Sequence, residues 1–120
     1  LLTYYPEGGL KMKSSYSKGI ASSPSLLYFE SGEIKHQMFY SKKGDKVKEE
    51  NYYSSGQLVS RIFFQNGLEE GEATLYYENG NTQEIRRFNK GILEGIREFF
   101  DSNGVLVRTE TYELGNKINK

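Results

Sequence analysis

Apolar and aromatic positions recur along this chain at intervals too long for a single strand or a single helical face. An aromatic residue falls every twelve positions, at Tyr4, Tyr16, Tyr28, Tyr40, Tyr52, Phe64, Tyr76, Phe88, Phe100 and Tyr112. Glycine marks twice that interval. Gly8, Gly32, Gly56, Gly80 and Gly104 stand 24 residues apart, each followed two positions later by Leu10, Ile34, Leu58, Thr82 or Leu106. A second glycine stands three residues after the second aromatic, at Gly19, Gly67, Gly91 and Gly115, and slips by one to Gly44 in the second period. Self-similarity at a fixed period of this length is the signature of a repeat architecture. The chain therefore reads as one domain, 1–120, built of five repeats at about 1–24, 25–48, 49–72, 73–96 and 97–120.

Within each repeat a strand end runs into turn residues, as in Tyr52-Tyr53-Ser54-Ser55-Gly56 and Tyr76-Tyr77-Glu78-Asn79-Gly80. Glycine supplies the positive φ that tight hairpin turns demand, and Asn or Ser tolerates the neighbouring position. Two strands per repeat predict about ten strands and no helix. The expected fold is all-β, a single-layer, elongated and twisted antiparallel meander of tandem hairpins. A three-residue loop with a left-handed glycine sets Tyr76 opposite Thr82, Tyr52 opposite Leu58 and Tyr28 opposite Ile34. Strict alternation from that register gathers Tyr28, Tyr40, Tyr52, Phe64, Tyr76 and Phe88 on one structural face. The other face then carries an apolar strip of Phe29, Phe39, Tyr53, Phe63 and Tyr77, with Ile85 beside it. Soluble chains seldom leave such a strip bare, so these five are the candidate partner-binding residues.

Two runs carry a family resemblance. Asn66-Gly67-Leu68-Glu69-Glu70-Gly71 followed by Leu75-Tyr76-Tyr77-Glu78-Asn79-Gly80, and Lys90-Gly91-Ile92-Leu93-Glu94-Gly95 followed by Phe99-Phe100-Asp101-Ser102-Asn103-Gly104, resemble the bacterial variant of the MORN repeat. The resemblance spans essentially the whole chain and is closest in the third and fourth repeats. In the first two, Ser23 and Val47 replace the second loop glycine. It implies stacked antiparallel hairpins and little chemistry of its own. Bacterial members are often labelled antitoxins, and the ordinary MORN repeat also stands beside the lipid-kinase domain of plant phosphatidylinositol-phosphate kinases. A kinase label on this chain would thus rest on the repeats alone.

Composition narrows the function further. Sixteen basic residues balance sixteen acidic ones, so no global field draws the chain to nucleic acid or to an anionic membrane. Cysteine is absent, which removes disulfides and thiolate metal ligands and leaves the compartment open. The chain starts at Leu1 and enters its first repeat at once, which predicts a piece of a longer protein. His36 is the sole histidine and reads as an ordinary strand residue, and no serine sits in a nucleophile-elbow context. Glu69, Glu70 and Glu72 are oxygen donors that suit a hard cation, but in a hairpin loop they read as solvated. Gly67, Gly71, Gly91 and Gly95 read as turn glycines, because no helix follows them to cradle a phosphate. The basic clusters are Lys11, Lys13 and Lys18, and Lys42, Lys43, Lys46 and Lys48, the second largely cancelled by Asp45, Glu49 and Glu50. They are the candidates for a lipid headgroup. The reading that results is a non-catalytic module, with no cofactor or metal, for a protein partner or self-association. A membrane-associated repeat segment and a cell-wall carbohydrate-binding module are the rival classes, the latter disfavoured by the absence of Trp.

Overall fold

The computed structural model describes residues 2–6, 8–17 and 20–118, so Lys18 and Gly19 lie outside the described residues. Short strands rich in aromatic and β-branched residues alternate with glycine turns, and they pair in the order in which they are made. The strands are β1 Leu2–Tyr4, β2 Leu10–Ser17, β3 Ile20–Tyr28, β4 Ile34–Tyr40, β5 Lys46–Tyr52, β6 Leu58–Gln65 and β7 Leu68–Glu69. They continue as β8 Gly71–Tyr76, β9 Thr82–Asn89, β10 Ile92–Leu93, β11 Gly95–Phe100, β12 Leu106–Glu113 and β13 Asn116–Ile118. All belong to one antiparallel sheet in chain order, with β7 paired to β6 and β10 paired to β9 off the main path. The result is the expected all-β meander, 52 × 33 × 19 Å, with no helix among the described residues.

The turns follow the predicted geometry. At the β8–β9 turn the Tyr77 amide donates to the Asn81 carbonyl (2.8 Å) and the Gly80 amide to the Tyr77 carbonyl (2.9 Å), with Gly80 at φ 96°. Tyr76 opposes Thr82, Tyr52 opposes Leu58 and Tyr28 opposes Ile34. One residue further on, each ladder slips. Tyr52 faces Leu58 but Asn51 faces Ser60, so Val59 is extra. Lys35, Val47, Gln83 and Val107 are extra at the matching points. Each is a β-bulge, which places two residues against one and reverses the alternation beyond it.

The bulges correct the expected faces. Phe39, Lys48 and Phe63 form one cross-strand row, and alternation from Lys48 puts Glu50 and Tyr52 on the same side. Met38, Glu49 and Ile62 form a row on the other side, where alternation also puts Tyr40 and Phe64. The periodic aromatics therefore divide: Tyr28, Tyr52 and Tyr76 lie on a first face with Phe39 and Phe63, and Tyr40, Phe64 and Phe88 on a second.

In the third, fourth and fifth repeats the second hairpin is tighter than a long loop. Asn66-Gly67, Lys90-Gly91 and Leu114-Gly115 all have positive φ at both positions, as a two-residue type I′ turn requires. The strand pairs beyond these turns account for β7, β10 and β13, and so for thirteen strands where ten were expected. Gly44 slips because its turn is the other kind. The Ser41 amide donates to the Asp45 carbonyl and the Gly44 amide to the Ser41 carbonyl, the three-residue pattern of the first hairpins.

With no second layer, Ala73 is the only fully buried apolar residue among the described residues, and Glu50, Ser60 and Glu84 are buried polar ones. Half-buried side chains on both faces carry the packing.

Candidate functional site

Residues that recur at the turns fasten the first repeat to the second, the third to the fourth and the fourth to the fifth. The Tyr5 hydroxyl donates to the Tyr28 carbonyl (2.7 Å), that of Tyr53 to the Tyr76 carbonyl (3.0 Å) and that of Tyr77 to the Phe100 carbonyl (2.7 Å). At the opposite edge, the Gly91 amide donates to the Glu69 carbonyl and the Gly115 amide to the Leu93 carbonyl. The Glu70 carboxylate accepts from the Lys90 amide, and that of Glu94 from the Leu114 amide. Two of the five candidate partner-binding residues, Tyr53 and Tyr77, are thus engaged in holding the array. Glu70 is part of this scaffold, and Glu72 pairs with Arg87 (3.1 Å). Among the described residues, no group of three or more His, Asp or Glu is arranged to hold a metal ion.

The first face carries Phe39 and Phe63 on either side of Lys48, whose Nζ lies 4.3 Å from the centre of the Phe39 ring. Phe63 is 43% exposed and Phe39 half-buried. Phe29 lies at the turn edge under Lys35 (5.7 Å). The strip expected from sequence is therefore broken by a cation and by two tethered tyrosines. Beside it lies a polar network. Arg61 Nε donates to buried Glu50 (2.7 Å), the Tyr52 hydroxyl donates to Glu50 (3.0 Å), and Gln37 donates to the Tyr52 hydroxyl (3.2 Å). Burial opposes the Glu50 charge, but the hydrogen bonds from Arg61 and Tyr52 outweigh it and hold the carboxyl below its ordinary range. Burial and the neighbouring carboxylate push Tyr52 up to about 12, so its hydroxyl stays protonated and donating.

The second face is apolar toward the first repeats. Met12, Leu27, Met38 and Tyr40, with Ser25, Leu26 and His36, line a shallow depression of about 210 Å³. His36 is fixed at its rim, with Nδ1 2.7 Å from Asn51 Oδ1 and Nε2 3.5 Å from Glu49. Asn51 in turn donates to Ser60 (3.0 Å). Sequence reading missed this depression, because the bulge at Lys35 that brings Met38 and Tyr40 to this face has no residue signature.

The tandem repetition also appears in the sequence comparison. A profile of the MORN repeat variant matches residues 47–66, 69–90 and 93–114, just over half of the chain. The chain belongs to the MORN repeat variant family. No curated protein matches this MORN chain. Among solved structures, it is similar to one described as "Crystal structure of GtfA/B complex bound to UDP and GlcNAc", with 14% identity and a TM-score of 0.53. That match covers 92% of the MORN chain and 26% of the other, and at this identity it speaks to the fold alone. The two repeats that the profile leaves out, before residue 47, are those with Ser23 and Val47 at the places that Gly71 and Gly95 fill later.

Proposed function

We propose that this MORN chain is a non-catalytic module that binds another protein through its first face, with Phe39 and Phe63 as the apolar contacts. The observation that carries it is exposure in mid-array: Phe63 stands 43% exposed among strands paired on both sides, and no second layer covers it. Phe29, Tyr53 and Tyr77 extend the contact along the turn edge. Membership of a repeat family used in interaction modules supports this reading. Its finer form is antitoxin-like, with a toxin from a bacterial source as the partner, and it is tested by whether co-expression with this chain relieves a toxin's growth arrest.

The test of the binding face is Phe39→Ser with Phe63→Ser. The doubly substituted chain is expected to lose a protein that the wild type captures from the source cells while keeping its strand circular dichroism. Should the partner be a second copy, the same pair shifts a dimer to monomer in sedimentation. Capture and self-association that are identical in both proteins would contradict the proposal.

A further inference from the structure

The second face changes chemistry along its length, from apolar near Met38 to cationic in the last two repeats. Alternation from the paired positions puts Arg86 of β9, Arg97 of β11, Arg108 of β12 and Lys117 of β13 on this one face. Only two carboxylates, Glu84 and Glu110, lie among them. Glu84 takes Arg86 and Arg97 (2.9 Å to the latter). Glu110 takes Lys117 at 3.2 Å, Arg108 at 3.6 Å and Arg97 at 3.9 Å. Four cations on two anions leave a local excess of positive charge on a chain whose net charge is zero. Arg108 and Lys117 have side chains 61% and 53% exposed, so they keep donors open to solvent. The Phe99 ring lies 4.1 Å from the Arg108 guanidinium and 4.8 Å from that of Arg97, which orders both planar groups.

We infer that this patch binds an acidic segment of a partner protein. The spacing argues for a chain over a single anion. Arg86 and Lys117 are three strands apart, about 14 Å at ordinary strand spacing, too far to converge on one phosphate or carboxylate. An extended peptide of five residues spans roughly 16 Å, so carboxylates along one short segment reach cations on all four strands. Glu84 and Glu110, interleaved with the cations, repel a uniformly charged phosphodiester backbone and accommodate a peptide whose acids are separated by neutral residues. The inference rests on the reading of this chain as a protein-binding module, but it uses the opposite face and other residues.

The experiment is fluorescence anisotropy of a labelled peptide of alternating glutamate and serine against the full chain at low and high salt. Wild type is expected to bind in low salt and release in high salt. Arg108→Gln with Lys117→Gln, both exposed, is expected to weaken binding on the order of tenfold. Lys42→Gln with Lys43→Gln, an equal charge change in the β4–β5 turn, is expected to leave it unchanged. Equal binding by wild type and the patch variant, or equal weakening by both variants, would overturn the inference. Tighter binding of an oligonucleotide or of phosphatidylserine vesicles than of the glutamate–serine peptide, lost in the patch variant, would overturn the choice of a peptide. Retained capture through Phe39 and Phe63 by Arg108→Gln with Lys117→Gln separates this result from the test of the first face.

Discussion

At the scale of single residues, the most constrained group is Glu50, which is 6% exposed on a sheet that buries little else. Its carboxylate is tolerable because Arg61 and Tyr52 both donate to it, and removing either leaves a buried acceptor short of a partner. Tyr52→Phe should cost about 1 kcal/mol by that route. The sign of the pH effect follows from the lowered carboxyl. A group depressed in the folded state contributes its stability above the unfolded value, about pH 4.3, and loses it as pH falls through the folded value. Glu50→Gln should therefore flatten the fall in stability below that pH, as followed by urea midpoints at descending pH, whereas an unchanged fall would place the acid sensitivity elsewhere. Nothing in the sequence announces this network. Glu50 and Arg61 lie 11 positions apart, and the next repeat holds Thr74 and Ile85 at the corresponding places.

Elements were more legible than residues. The glycine period and the aromatic pairs give the hairpins, their order and the register of the first turns, because positive φ and cross-strand pairing leave few alternatives. The bulges were not legible, since the extra residue is Lys35, Val47, Val59, Gln83 or Val107 and a bulge of this kind asks for no special side chain. That single omission sends Phe64 to the face opposite Tyr52 and dissolves the continuous strip of candidate residues. The type I′ turns were hidden in the same way, announced by Asn66-Gly67 and obscured by Leu114-Gly115. The tyrosine fasteners also belong to this scale. Phe29 occupies the place that Tyr5, Tyr53 and Tyr77 fill in other repeats, so Phe29→Tyr supplies a hydroxyl within reach of the next repeat's carbonyl. It should stabilise the array by about 0.5–1 kcal/mol, and Tyr77→Phe should destabilise it by a similar amount. Equal thermal midpoints for all three proteins would show that the fasteners are incidental.

For the molecule as a whole, a sheet one layer thick leaves two faces to solvent and divides them by chemistry. The first offers phenylalanines around a lysine, and the second runs from a methionine-lined hollow to a cluster of arginines. A repeat array stabilises itself through neighbouring hairpins, not through a shared core, so its surface side chains are free to vary with the partner. The direct test of the central claim is a photoreactive phenylalanine analogue placed at Phe63 and, separately, at Asn103 in the exposed β11–β12 turn, irradiated in the source cells. The expected result is one discrete protein adduct from Phe63 and none from Asn103, whereas no adduct from Phe63, or the same adducts from both positions, would contradict it.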